Sequence, residues 1–398
     1  MVAVPPLPSI DDARAALLAA IRPLPAVDVA VADAHDLVLA EDVTAAHDVP
    51  AFTNSAMDGF ATRAVASGTR LRVVGESRAG APYAGTVGEG EAVRISTGAA
   101  LPDGAEGVLQ VELLEVVEGG AAIVVGDAVA PGRNLRGPGE DLRAGTVVLP
   151  AGTRVGPAEI GVAIGAGRAT IRCARRPRVA AITTGDELVG AGGPLSPGQI
   201  HDSNGAMIAA LARRTGAEAL APGHVGDDLG ATVAAIGAAL DDADLVVLSG
   251  GVSVGPHDHV KPALAQLGVR EILWRVALRP GKPTWMGERD GTIVLGLPGN
   301  PVSAYVTFLL FGRPALAALQ GGDARVPRTV AALGVAVQRH PDRDECVRVR
   351  RTPDGRVVPT GPQASHVLSS LLGAEALAII PRGEGTLAAG TEVLLEPV

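Results

Sequence analysis

Residues 244–258 read DLVVLSGGVSVGPHD, and this stretch decides the fold of the chain. Residues 245–248 form an apolar run too short for a helix, which is typical of a strand buried on both faces. The loop after it is rich in small residues and contains Ser249, Gly250, Gly251, Ser253 and Gly255. Glycine lets a backbone approach a ligand closely because it has no Cβ. We expect the loop to hold an anion, helped by a helix that begins near residues 256–258. The alternative is a plain connection from strand to helix.

The residues around this stretch alternate between strand and helix patterns. Short apolar runs predict strands at residues 179–183, 218–224, 245–248 and 292–297. Apolar residues at helical spacing predict helices between them and a long final helix over residues 301–319. Asn204 and Asn300 are predicted to cap two of these helices. The alternation predicts an α/β domain with a parallel sheet and helices on both faces.

The length and composition predict further domains. A chain of 398 residues exceeds what one hydrophobic core usually serves, so we expect about two to four domains. Short β-type runs between glycines predict small β-rich domains at residues 62–140 and 327–398. Aromatic residues make up only 2% of the chain, so the core must be built mainly from Ala, Val, Leu and Ile.

The net charge of −9 argues against a nucleic-acid or membrane-surface partner, because a polyanion would be repelled over long range. The N-terminal residues show no signal-peptide pattern, and no run of eighteen apolar residues occurs. Cys173 and Cys346 lack metal-binding spacing, which predicts unpaired buried thiols. We therefore expect a cytoplasmic protein.

Acidic residues follow the predicted strands, where ligands of open α/β sheets bind. Glu187, Asp227 and Asp258 follow the first three strands, and the last strand ends in Pro298, Gly299, Asn300 and Pro301. Carboxylates beside an anion repel it unless a hard cation lies between them, and Mg²⁺ meets that need. The alternative, that these acids cap helices, explains Asp227 or its neighbour Asp228 well.

Two cationic residues lie in the turn RPGKP at residues 279–283. Arg279 and Lys282 suit a phosphate or another oxyanion. A solvated surface pair is the alternative.

At this point the motifs of the chain resemble a known family, the molybdopterin molybdenumtransferases, which include the E domain of gephyrin. The motifs that carry the resemblance are PAFTNSAMDGFA, ISTGAALPDGAEGV, GEDLRAGT, TTGDEL, SGGVSVGPHDH, LRPGKPTWMG, GLPGNPVSA and GPQASHVLSS. They occur in family order across almost the whole chain.

The resemblance implies an elongated homodimer of four-domain subunits. Domain I is discontinuous, at residues 1–46 and 142–176, and serves linking and dimerisation. Domain II is β-rich, at residues 47–141. Domain III is a three-layer α/β molybdopterin-binding domain at residues 177–326, and domain IV is β-barrel-like, at residues 327–398. The implied fold class is α/β plus β.

The resemblance also implies the reaction. Molybdate and adenylylated molybdopterin react with Mg²⁺ to give AMP and the molybdenum cofactor. Glu187, Asp227 and Asp258 are then the catalytic acids of the cleft and hold the metal. Asp58, Thr97 and Asp141 complete the catalytic site from domain II of the other subunit.

A third set of residues matches positions that bind cofactor or molybdate in the family: Arg279, Lys282, Pro298, Pro301, Arg348 and Ser365. Small departures occur at Phe60, where tyrosine is usual, and at Arg279, where lysine is usual. Arg348 could instead belong to an exposed β face with Arg350 and Arg351 and bind nothing.

The resemblance implies transient contact with molybdopterin adenylyltransferase and with molybdoenzymes. Two other functions are considered, adenylyl transfer to molybdopterin and a non-catalytic dimeric scaffold. The sequence does not distinguish molybdate from tungstate, because the two are near-identical dianions.

Overall fold

The computed structural model describes residues 6–251 and 258–398, which include the α/β domain that the sequence predicted. Among these residues, the central sheet has seven strands. Six of them follow one another across the sheet in the order Glu218–Ala219, Arg178–Thr184, Leu245–Ser249, Thr292–Leu297, Trp285–Arg289 and Arg270–Trp274. The remaining strand, Gly223–Val225, also pairs with Arg178–Thr184.

The pairing of these strands is mixed. The strands from Glu218–Ala219 to Thr292–Leu297 run parallel, but the two that follow run antiparallel. The chain reverses at Asp290 and Gly291, whose φ angles are 53° and 91°. Two positive φ angles are those of a type I′ hairpin turn, which the pair Asp-Gly favours. The expectation of a wholly parallel sheet is therefore corrected at this edge.

Helices cover both faces of the sheet, namely Asn204–Arg214, Leu229–Asp242, Val260–Gln266, Pro301–Thr307 and Arg313–Leu319. The last two are joined by a π-helical turn, Phe308–Gly312. Neighbouring residues of the central strand face different cores, because Val247 packs on the side of Phe308 and Val246 packs on the side of Ile236. The predicted three-layer arrangement is confirmed.

The stretch Pro301–Leu319 is long and apolar enough to be compared with a membrane span. In the fold, however, 78% of it is buried, and Phe308 and Phe311 are fully enclosed. The apolar character of this helix is thus explained by its place in the protein core.

The N-terminal helix Ile10–Ala19 begins at the predicted capping box. The hydroxyl of Ser9 accepts the backbone N–H of Asp12 at 3.1 Å, and the Asp12 carboxylate accepts the N–H of Ser9 at 3.3 Å. Ile10 and Leu17 pack in the same core as the α/β sheet. This helix therefore lies on the α/β domain, although residues 1–46 were assigned to domain I.

Distant parts of the sequence meet in the small unit beside it. Strand Ala26–Ala30 pairs with Thr170–Ala174, and Val43–Thr44 pairs with Val147–Leu149. Helix Pro157–Gly165 and a short 3₁₀ turn, Val31–Asp33, complete this unit. Cys173 lies in its core, and burial raises the pKa of its thiol to about 11. Cys173 and Cys346 are both free and buried, as predicted.

The two β-rich units lie on either side of the α/β domain in sequence. Among the described residues, the first has a sheet of six strands in the order Gly107–Gln110, Gly59–Thr62, Glu91–Ile95, Arg70–Ser77, Ala122–Val125 and Leu114–Val117. A smaller pair joins Asn54–Ser55 to Leu135–Arg136. Short 3₁₀ turns occur at Val111–Leu113 and Glu118–Gly120.

The C-terminal unit also contains a six-stranded sheet within the part of the chain described. Five follow the order Leu278–Arg279, Asp344–Arg351, Ala376–Ile380, Glu392–Pro397 and Thr329–Ala332, while Val357–Pro359 pairs with Asp344–Arg351. Val337–Gln338 pairs with Thr386–Leu387, and a 3₁₀ turn covers Leu368–Leu371. The strand Leu278–Arg279 comes from the α/β region of the sequence, so the two units share a sheet.

Candidate functional site

A cleft of about 760 Å³ opens where the parallel strands of the α/β domain end. Glu187, Asp227 and Asp258 all line this cleft. The other lining groups include Ser249, Gly250, Gly251, Pro298, Gly299, Asn300 and Pro301. Three acids and two small-residue loops, predicted separately from strand ends, therefore lie around one cavity. Ser253 and Gly255 lie outside the described residues.

The loop after the central strand needs glycine. Gly250 has a φ angle of 99°, and a Cβ there would lie 2.8 Å from the carbonyl oxygen of Thr184. Gly251 has a φ angle of 61°, and a Cβ there would lie 2.6 Å from the side chain of Val260. Both backbone shape and space therefore exclude larger residues. The loop is packed against its neighbours and presents its backbone to the cleft.

We expect Gly250→Ala to weaken ligand binding in this cleft. The new methyl group would push against the Thr184 backbone, and a positive φ angle is itself unfavourable for alanine by about 1–3 kcal/mol. Calorimetric binding of Mg²⁺ with AMP measures the effect. Gly190→Ala is the control, because nothing lies within 4 Å of a Cβ at that position. Equal binding by wild type and Gly250→Ala would contradict the assignment of this loop to the site.

The acids of the cleft differ in their local roles. Asp228 caps the helix Leu229–Asp242 by accepting the N–H of Ala231 at 2.7 Å. The N–H of Asp227 donates to the Asp186 carboxylate at 3.0 Å, and the carboxylate of Asp227 lines the cleft. The helix-cap alternative thus holds for Asp228.

Asn204 is a cleft residue that the sequence pattern did not identify. Asn204 was expected to cap its helix, but it is the first residue of that helix. The Asp202 carboxylate accepts the backbone N–H groups of Asn204 and Gly205 at 3.0 and 3.1 Å. The Asn204 side chain, 8% exposed, donates to the Ser249 hydroxyl at 2.9 Å and to the Gly299 carbonyl oxygen at 2.7 Å. One amide therefore joins two of the loops that form the cleft.

The loop of residues 361–367 closes another side of the cleft. Ser365 accepts a hydrogen bond from the Asn300 amide at 3.0 Å, and its carbonyl oxygen accepts the N–H of Val302 at 3.2 Å. His366, which the sequence reasoning did not single out, lines the cleft. Its neighbour Ser365 had been predicted from the same motif, so the motif was the available signal.

Arg348 lies behind this loop and is 0% exposed. Its guanidinium donates to the Ser370 hydroxyl at 3.0 Å and to the carbonyl oxygens of Pro362 and Gln363 at 3.2 Å each. Burial lowers its pKa. Neither expectation for Arg348 matches this position: it is enclosed, so it neither reaches an anion in the cleft nor lies on an exposed face. It supports the loop that carries Ser365.

The cationic turn lies beside the cleft. Pro283 lines the cavity, whereas the exposed Lys282 is on the adjoining surface and its carbonyl oxygen accepts the N–H of Val276 at 3.0 Å. The Arg279 side chain lies 3.7 Å from the Glu345 carboxylate of the C-terminal sheet. Lys282 is therefore the cation of this turn that no carboxylate neutralises within the described residues.

Two of the three residues predicted in domain II, Asp58 and Thr97, are hydrogen-bonded to each other, whereas Asp141 bonds elsewhere. The Asp58 carboxylate accepts the backbone N–H of Thr97 at 2.7 Å and its hydroxyl at 3.1 Å. These bonds hold the pKa of Asp58 below its usual value, so it is ionised at neutral pH. Asp141 is exposed, and its N–H donates to the Val49 carbonyl oxygen at 2.9 Å. In the described part of one chain, none of the three lines the cleft.

The donor set of the cleft can be compared with the needs of Mg²⁺. Among residues 6–251 and 258–398, no three or more His, Cys, Asp or Glu side chains are grouped closely enough to hold a metal alone. Mg²⁺ usually keeps several waters and binds one or two carboxylates together with substrate phosphate. The separated acids of this cleft fit such an ion when it arrives with a phosphate group.

Comparison with known families covers nearly the whole chain. Residues 8–167 match the MoeA N-terminal region (domain I and II), residues 180–318 match a probable molybdopterin binding domain, and residues 330–398 match the MoeA C-terminal region (domain IV). The matches on both sides of the central domain cover parts that a single α/β domain would lack.

Individual relatives and a solved structure point to the same family as the family models. The chain is 39% identical to molybdopterin molybdenumtransferase 2 of Mycobacterium tuberculosis, covering 95% of this chain and 96% of the relative. It is 34% identical to the molybdopterin molybdenumtransferase of Haemophilus influenzae, covering 92% of each. A crystal structure of the molybdopterin biosynthesis MoeA protein of Pyrococcus horikoshii superposes with a TM-score of 0.83 at 30% identity, covering 98% of this chain and 99% of the other. The chain therefore belongs to the molybdopterin molybdenumtransferases, transferases of molybdenum cofactor biosynthesis.

Proposed function

We propose that the protein inserts molybdenum from molybdate into adenylylated molybdopterin, with Mg²⁺-dependent cleavage of the phosphoanhydride and release of AMP. The observation that carries the proposal is the convergence of Glu187, Asp227 and Asp258 on one cleft with a glycine-rich loop. The acids would bind Mg²⁺, and the ion would offset the charge of the phosphoanhydride. The family membership supports the molybdenum transfer itself.

The experiment is incubation of the purified protein with adenylylated molybdopterin, Mg²⁺ and molybdate, with AMP followed by chromatography. We expect AMP release that depends on both Mg²⁺ and molybdate. Replacing molybdate with tungstate determines which oxyanion is preferred. No AMP above the level without protein would contradict the proposal.

We also propose that the catalytic site is shared in a homodimer, completed by Asp58, Thr97 and Asp141 of the other subunit. The support is that the Asp58 carboxylate is ionised and hydrogen-bonded to Thr97, but neither residue lines the cleft of its own chain. An exposed carboxylate held by two donors is suited to meet a second surface. Transient contact with molybdopterin adenylyltransferase and with molybdoenzymes would bring substrate and remove product.

Subunit mixing tests this arrangement. Asp58→Ala and Asp258→Ala should each be nearly inactive alone, but a refolded equal mixture should regain about a quarter of wild-type AMP release. Half of the randomly assorted dimers are mixed, and each of these keeps one intact site of two. Mixing two batches of Asp258→Ala is the control. A mixture no more active than the single variants, or a fully active monomer by light scattering, would contradict a shared site.

We propose that molybdate binds between the α/β domain and the C-terminal domain, near Lys282 and Ser365. A dianion needs positive charge and donors, and Lys282 has no carboxylate partner among the described residues. The acids of the cleft would repel the same ion. The loop of residues 361–367, which Arg348 holds by hydrogen bonds, would present Ser365.

Lys282→Ala should raise the molybdate concentration needed for half-maximal insertion about tenfold, the effect of losing about 1.4 kcal/mol of binding. Binding of adenylylated molybdopterin should stay close to that of wild type, and this serves as the internal control. An unchanged molybdate requirement would move the oxyanion site elsewhere. A steady-state titration with molybdate measures the outcome.

A further inference from the structure

A stack of cationic and aromatic side chains lies at the end of the α/β sheet. The Lys261 ammonium lies 3.0 Å from the centre of the Trp274 ring, and the Arg275 guanidinium carbon lies 4.0 Å from it. We call Lys261, Trp274 and Arg275 the tryptophan stack. A cation over an aromatic face is attracted by the partial negative charge on that face, most strongly for tryptophan. The mechanism described above does not use these residues.

One end of the stack belongs to the segment that carries Asp258. Lys261 is in the first turn of helix Val260–Gln266, directly after Asp258 and His259. Burial lowers the pKa of Lys261, and the nearby charge of Asp258 opposes that change. The preceding residue, Val260, packs against Gly251 of the cleft loop. A shift of this helix would therefore move both the acid and the glycine loop.

The other end of the stack belongs to the segment that carries Lys282. The backbone N–H of Arg275 donates to the Thr284 carbonyl oxygen at 2.9 Å, and the N–H of Val276 donates to that of Lys282 at 3.0 Å. Trp274 thus forms the base of the turn that presents Lys282 and the cleft residue Pro283. A shift of the Trp274 ring would move this turn.

The Lys261 ammonium lies over the Trp274 ring and also feels the negative charges of Asp258 and Glu271. The contact between this ammonium and the Trp274 ring joins the two segments. Such a contact keeps the ammonium at a defined place without neutralising its charge.

We propose that Trp274 is a positioning residue that, by holding Lys261, keeps Asp258 at a fixed separation from Lys282. The tryptophan stack thus couples the side of the cleft that binds Mg²⁺ with phosphate to the side that binds the oxyanion. This proposal rests on the proposed function for the identity of the two ligands. It predicts that damage to the stack weakens both binding events together.

The test uses the full chain and equilibrium binding by calorimetry, with molybdate and with Mg²⁺ plus AMP as separate ligands. Trp274→Leu and Lys261→Met should each raise both dissociation constants about tenfold, a change of about 1.4 kcal/mol. Trp274→Phe and Lys261→Arg, which keep an aromatic face and a charge, should stay within about threefold of wild type. Arg270→Met is the matched control, since Arg270 lies on the same strand and forms an exposed pair with Glu288 at 2.9 Å.

The double variant Lys261→Met/Trp274→Leu separates coupling from general damage. If the two residues act through one contact, the double variant binds both ligands no more weakly than either single variant. The proposal would be overturned if the effects of the two substitutions on the dissociation constants multiplied in the double variant. It would also be overturned if the variants weakened the binding of only one ligand. Binding does not need turnover, so a wild type that binds both ligands but releases no AMP would count against the proposed function alone. A wild type that binds neither ligand would count against both.

Discussion

Replacing Asp258 with alanine should lower the rate of AMP release at least tenfold. Asp258 lines the cleft directly before helix Val260–Gln266, and its carboxylate is one of the groups there that can offset the charge of a bound metal. A tenfold loss corresponds to about 1.4 kcal/mol of transition-state stabilisation. The measurement is single-turnover AMP release over a range of Mg²⁺ concentrations, where loss of a metal ligand also raises the Mg²⁺ requirement.

Asp228→Ala is the matched control for that experiment. Asp228 is also an acid at a strand end, but its side chain caps a helix. Its loss should cost about 1 kcal/mol of stability and leave the rate per folded molecule unchanged. Wild-type turnover in Asp258→Ala with an unchanged Mg²⁺ requirement would remove Asp258 from the mechanism.

Glu396→Gln should lower the free energy of unfolding by about 3–5 kcal/mol, because it removes the buried carboxylate that three arginines share. Glu396 is 0% exposed. Its carboxylate lies 3.0 Å from Arg14, 2.8 Å from Arg328 and 3.9 Å from Arg313. Those arginines come from the N-terminal helix, the final helix of the α/β domain and the start of the C-terminal unit. Urea unfolding followed by circular dichroism measures the change.

Glu392→Gln provides the comparison on the same strand. Glu392 is exposed, so the change should stay within about 0.5 kcal/mol. If Glu396→Gln lowered the free energy of unfolding as little as Glu392→Gln, solvent would be stabilising the arginine charges in place of the Glu396 carboxylate.

The sequence predicted the centre of the fold well, since hydrophobic pattern and turn residues agree there. The strand at residues 245–249 and the first two glycines after it, Gly250 and Gly251, lie where the pattern placed them, because a run of four apolar residues favours burial. The antiparallel edge was missed, although Asp290 and Gly291 are a recognised hairpin signal. That signal was outweighed by the strong alternation of strands and helices before it.

Side-chain roles were predicted less well, because they depend on contacts between distant parts of the chain. Asn204 is a residue type that often caps helices, but here Asp202 accepts the backbone N–H groups at the start of the helix. The Asn204 amide therefore remains available to join two loops. Arg348 has the charge of an anion ligand, but a β-strand and the loop after residue 361 enclose it. Sequence spacing alone does not show which of two nearby polar groups faces a cavity.

The short strand Leu278–Arg279 has a mechanical consequence. It pairs with Asp344–Arg351 of the C-terminal sheet, and it leads into the turn that carries Lys282 and the cleft residue Pro283. The strand pairing links the turn to that sheet, so we expect a movement of one to shift the other. We therefore expect opening of the cleft and tilt of the C-terminal sheet to be coupled motions.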